Sequence, residues 1–160
     1  YVHVFCPVDA AYWLPQKRQR LILVGTRKPF NINAPKALQR KPRLKDLLEK
    51  NPKVDIPEYV YKRMQGSYRD LPIVVDPNHP QAHAPTCVAH YAKDLSTRLV
   101  KDASFPLGVR PFTIREYARL QGFPDDYRFA ANRSSYRLIG NAVPVHMGAW
   151  VGAEAMRYFN

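Results

Sequence analysis

The sequence predicts a mixed α/β fold, and three observations predict it. An alternating run and a continuous apolar run open the chain, a proline-rich stretch without clear periodicity fills the middle, and helical spacing dominates the end. The 160 residues, 46% of them apolar, suffice for one domain or two small lobes with a modest core.

Val2 to Phe5 alternates, as a half-buried strand does, and Arg20 to Thr26 (RLILVGT) reads as a buried strand stopped by Gly25. Between them Ala10 to Gln19 is a loop containing Pro15. Residues 28–109 are largely irregular, with helices expected at Leu44 to Lys50 and near Pro57 to Met64. From Asp76 to Pro85 three prolines remove backbone donors and forbid regular structure. Thr86 to Ala89 then reads as a short strand.

Residues 110–160 are expected to be mostly helical. Thr113 followed by Glu116 is a capping box, flanked by Phe112 and Tyr117 at hydrophobic-staple positions. Gly122 supplies the stop and Pro124 blocks continuation. Ile114, Tyr117, Ala118 and Gln121 share one face, with Arg115 and Arg119 on another. The final helix, Pro144 to Phe159, carries Val145, Gly148, Ala149, Gly152, Ala155, Met156 and Phe159 at helical spacing. Small residues at 148 and 152 predict close packing against another element.

The net charge of +12 predicts a polyanionic partner, because phosphate contacts supply most non-specific affinity for nucleic acid. Basic residues cluster at Lys36, Arg40, Lys41, Arg43 and Lys45, and again at Lys62, Arg63 and Arg69. A solvated face and a DNA-facing role both fit that pattern. No apolar run is long enough for a membrane span, and no signal-like segment opens the chain. Cys6 and Cys87 lack metal or secretory spacing and fit a reducing cytoplasm, each as a small buried hydrophobe. Asp76, His79, His83 and His90 are spaced too irregularly for a metal site, and none is expected.

Three motifs carry a resemblance. Arg110 to Asp125 (RPFTIREYARLQGFPD) resembles the ninth conserved block of the cytosine-C5 DNA methyltransferases. Ser135 to Pro144 (SYRLIGNAVP) resembles the tenth, and Gln16, Arg18 and Arg20, spaced QxRxR before a strand, resemble the eighth. Their order is the family's, which makes the set far more specific than any one block.

The resemblance implies a chemistry: cytosine leaves the duplex, a cysteine thiolate adds to carbon 6, and S-adenosylmethionine donates a methyl group to carbon 5. It implies that Arg20 contacts the target base, that Arg18 positions phosphate, and that Gln16 orients the loop or contacts the DNA backbone. A guanidinium is planar, permanently charged and multidentate, which suits both base carbonyl and phosphate. Asn141, Ala142 and Val143 would lie beside the cofactor; Ala142 stands where some relatives carry Ser, so a hydroxyl contact is lost. An Asx turn alone would also explain Asn141. Residues 28–109 would form the target-recognition region, with Thr86-Cys87-Val88-Ala89 similar to its recurrent Thr-plus-apolar element. Thr86, Lys93 and Arg98 are the candidates for DNA contact.

The sequence also lacks parts of the pattern. It has no glycine-rich cofactor loop, no Glu-Asn-Val block and no Pro-Cys nucleophile, since Cys6 precedes Pro7 in the reverse order. The resemblance therefore implies the C-terminal part of a DNA (cytosine-5-)-methyltransferase, inactive alone, of a bacterial, archaeal or phage restriction-modification type and cytoplasmic. Residues 1–27 would be the last strands of a Rossmann-like methyltransferase sheet, and residues 110–160 helices returning to that catalytic domain. Expected partners are double-stranded DNA and the N-terminal catalytic portion or a complementary subunit. The alternative is a non-catalytic DNA-binding protein that retains only the recognition region.

Overall fold

The computed structural model describes residues 1–160. Strand β1 (Val2–Asp9) and strand β2 (Gln19–Gly25) form an antiparallel ribbon, with Val4 opposite Leu23 and Phe5 opposite Ile22. The register shifts between Phe5 and Val8. One face of the ribbon meets the C-terminal helix: Val8, Trp13, Leu14 and Met147 are buried together, with Phe5, Ile22 and Trp150 packed around them. On the other face Val2, Val4, Leu21 and Leu23 are exposed. Cys6 is exposed as well, which corrects the expectation of a buried residue.

A second sheet has the order β3 (Ile73–Val75), β4 (Arg98–Lys101), β5 (Val109–Pro111). Strands β3 and β4 run parallel, and β4 and β5 antiparallel. Helix α1 (Leu44–Leu47) is a single turn, shorter than expected, and α2 (Glu58–Gln65) lies within one residue of its expected place. The strand expected at Thr86 to Ala89 does not form. Its donors are taken by side chains: the Cys87 amide by Gln16 Oε1 at 3.0 Å, and the Val88 amide by Tyr117 Oη at 2.6 Å. A 3-10 turn, Ala89–Ala92, follows.

Helix α3 (Ile114–Leu120) has the predicted capping box, with Thr113 Oγ1 accepting from the Glu116 amide at 3.0 Å and Glu116 Oε2 accepting from the Thr113 amide at 2.9 Å. Gly122 ends it at φ 83°, a left-handed conformation that favours glycine. Helices α4 (Ser134–Asn141) and α5 (Val145–Phe159) follow. The principal core joins Leu44, Tyr91 and Val100 to Phe112, Tyr117, Leu120, Tyr136 and Ile139, so the middle and the end of the chain share it. Tyr91 stacks on Tyr117 with ring centres 4.9 Å apart, and Tyr136 meets both rings edge-on. Helix α5 buries Met147 and Glu154, while a Cβ placed on Gly148 or Gly152 would meet no other element within 4 Å. The close packing expected at those two glycines is therefore not made within this chain.

Candidate active-site wall

The loop before β2 and the turn after α4, about 120 residues apart in sequence, are bolted together. Arg18 is 3% exposed, and its guanidinium donates to Cys87 O at 2.7 Å, Gly140 O at 3.0 Å and Ala142 O at 2.9 Å. Burial lowers its pKa, and the neighbouring Arg20 charge adds to the effect, yet an arginine stays cationic. Gln16 is fully buried; its amide donates to Leu120 O at 2.6 Å, and its carbonyl accepts from the Cys87 amide at 3.0 Å. Gln121, also fully buried, donates to Ile139 O at 2.8 Å. Thus the loop, the end of α3 and the end of α4 share one buried polar network, in which Arg18 Nε is left without a partner.

Each sequence-predicted residue then takes a definite place. Arg18, expected on phosphate, is turned inward and occupied by backbone carbonyls; Gln16 is held in the interior with no exposed surface. Arg20 is exposed, and its only hydrogen bond runs from Nη1 to Gln19 O at 2.7 Å, so most of its donors face solvent. Asn141 is the exposed last residue of α4, Ala142 gives its carbonyl to Arg18, and Val143 is exposed beside them.

The recognition-region candidates divide. Thr86 Oγ1 donates to Lys17 O at 2.7 Å, and Arg98 Nε donates to Thr86 O at 3.2 Å, so both brace the loop. Lys93 alone of the three has an exposed, unengaged head group. Burial pushes the Cys87 thiol up to about 12, which leaves no thiolate for nucleophilic addition. No cluster of three His, Cys, Asp or Glu side chains stands at metal-binding distance.

Sequence reasoning missed the residues that hold this wall in place. Arg110 is 1% exposed and makes a bidentate pair with Glu116 at 2.8 Å on each arm, with Asp102 on its Nε at 2.7 Å. Burial alone would lower the Arg110 pKa, but the bonds to Glu116 and Asp102 hold it above its ordinary value. Glu116 also accepts the Glu49 amide at 2.9 Å, tying α1 to α3. Glu116 was legible as a cap, but its second role, as the buried partner of Arg110, has no local signal.

The ribbon, the second sheet and the C-terminal helices make a methyltransferase-like α/β chain. A solved methyltransferase structure from Entamoeba histolytica, EhMeth, superposes with a TM-score of 0.74 over 99% of this chain and 52% of that one. At 16% identity that likeness shows the fold. A family model described as C-5 cytosine-specific DNA methylase matches residues 9–157, and the chain belongs to that family. It is 31% identical over 180 residues to the Type II methyltransferase M.Sau96I of Staphylococcus aureus, covering 93% of this chain and 41% of that protein. It is 29% identical over 171 residues to the Type II methyltransferase M.MthTI of Methanothermobacter thermautotrophicus, covering 85% and 50%. The chain thus spans about half the length of the curated relatives it matches. No helix is long and apolar enough to cross a membrane.

Proposed function

We propose that this chain is the C-terminal part of a cytoplasmic DNA (cytosine-5-)-methyltransferase, supplying DNA recognition and one wall of the target-base and cofactor pocket. One observation carries the reading. Arg18 grips the carbonyls of Gly140 and Ala142, which sets the base-contacting loop beside the cofactor turn. Arg20 then offers a planar, multidentate cation toward an everted cytosine and its flanking phosphate. Arg18 is the strut that positions it, and Gln16 fixes the loop from beneath.

The residues present fit one side of S-adenosylmethionine. Asn141 offers a side-chain amide without a partner in the chain, and Val143 an exposed apolar surface. When bound, that cofactor supplies the methyl group for carbon 5. The nucleophile and the glycine-rich loop are not in this sequence, so transfer requires a second part. The bare outer face of the ribbon, with Val2, Val4, Leu21 and Leu23, is suited to receive it.

The test mixes this chain with a chain that carries the Pro-Cys site and the cofactor loop, and measures transfer of a labelled methyl group to duplex DNA. Transfer in the mixture, absent from either part alone and reduced roughly a hundredfold by Arg20→Ala, is expected. Duplex binding that persists while no mixture transfers methyl would instead favour a stand-alone DNA-binding protein.

A further inference from the structure

A cleft beside the Gln16–Arg18 loop has a cavity volume of about 820 Å³. Lys17, Lys41, Arg43 and His83 line it together with prolines and small or apolar residues, and no carboxylate does. From the composition of its lining alone, the cleft is built for an anion.

Lys17 is its best-placed cation. Its amide donates to Ala84 O at 3.0 Å and its carbonyl accepts Thr86 Oγ1 at 2.7 Å, so the backbone is clamped on both sides. The flanking residues Gln16 and Arg18 are buried and turned inward, while Lys17 is exposed and its ammonium has no partner. Across the cleft Lys41 Nζ donates to Ala11 O at 2.7 Å and Arg43 pairs with Asp46 at 3.3 Å. Both contacts are exposed and are exchanged for phosphate at little cost. The other rim is also fixed, because the Gln81 amide donates to His79 Nδ1 at 3.2 Å and His83 Nδ1 donates to Gln81 O at 2.8 Å.

We propose that this cleft is a track for the DNA backbone next to the target cytosine, in which Lys17, Lys41 and Arg43 contact phosphates. Lys17 thereby carries the phosphate contact that the family resemblance implied for Arg18. The inference rests on the methyltransferase reading above and deepens it. The cleft is too small for a duplex and takes one strand's sugar-phosphate chain. A contact of this kind is read as salt dependence, since each neutralised phosphate releases condensed counterions.

The experiment titrates fluorescent duplex DNA with the 160-residue chain at several salt concentrations, for the unaltered protein and for Lys17→Gln, Lys41→Gln and Arg43→Gln. Each substitution is expected to lower the slope of log affinity against log salt by about 0.9, and equally for unrelated DNA sequences. Lys28→Gln, outside the cleft, should leave the slope unchanged, and circular dichroism should show every variant folded. Slopes unaltered by all three substitutions overturn the cleft while leaving the methyltransferase reading intact. No binding of any duplex by the folded chain overturns both. Tighter binding to double-stranded RNA, lost on the same substitutions, overturns the assignment of DNA as the occupant.

Discussion

Arg110 shows how one buried side chain can hold a helix in its place. Its guanidinium is buried between Glu116 and Asp102, and Glu116 in turn caps α3 and holds the Glu49 amide. Removing one partner of a buried, hydrogen-bonded pair leaves the other charge desolvated and unpaired, at a cost of about 3–5 kcal/mol. Arg110→Met is therefore expected to lower the unfolding free energy by about that amount in urea titration, and to loosen α3 with it. Arg119→Ala, whose partner Asp125 is largely exposed, should cost about 1 kcal/mol or less. Equal losses for the two variants would show that burial is not what makes the Arg110 pair matter.

Among elements, α4 approaches the 3-10 turn after Val88 closely at Gly140. A Cβ built on Gly140 would lie 2.4 Å from the Ala89 amide nitrogen and 2.4 Å from the Val88 carbonyl carbon. Both are backbone atoms, so relief requires α4 to move, and with it the carbonyls that Arg18 grips. Gly140→Ala should destabilise by about 1–3 kcal/mol despite its better helix propensity. Gly152→Ala, in open space within α5, should stabilise by about 0.5–1 kcal/mol. Thermal unfolding of the pair checks both signs, and a stabilising Gly140→Ala would rule out the close approach. The capping box of α3 and the extent of α5 were legible because their signals are local: a cap, a stop, a period. Strands β3, β4 and β5, of three or four residues, were not legible, because their pairing is decided by partners distant in sequence. Thr86 to Ala89 has strand-like composition, yet Gln16 and Tyr117 take its donors first. At the candidate site the spacing grouped Gln16, Arg18 and Arg20, but which side chain turns inward depends on carbonyls supplied by α4.

At the scale of the whole molecule, helix α5 and the ribbon leave large apolar side chains uncovered. Helix α5 has Met147, Trp150 and Glu154 on its inner face, with Trp150 edge-on to Phe5 at 5.2 Å. Its opposite face carries Val145, Ala149, Gly152, Met156 and Phe159, all exposed, Phe159 at 79%. The ribbon adds Val2, Val4, Leu21 and Leu23 and two unpaired strand edges. Two exposed apolar faces of this kind are rarely left in water, and open edges recruit other strands. The isolated chain is therefore expected to self-associate as its concentration rises, with sedimentation giving masses above the 18.5 kDa of one copy. Net charge opposes that association, so adding salt should strengthen it, the reverse of its effect on DNA binding. Met156→Lys with Leu23→Lys should return the chain to a single copy without loss of helix signal, because neither side chain supports the core. A monomer of the unaltered chain at every concentration and salt would mean that these faces need no cover.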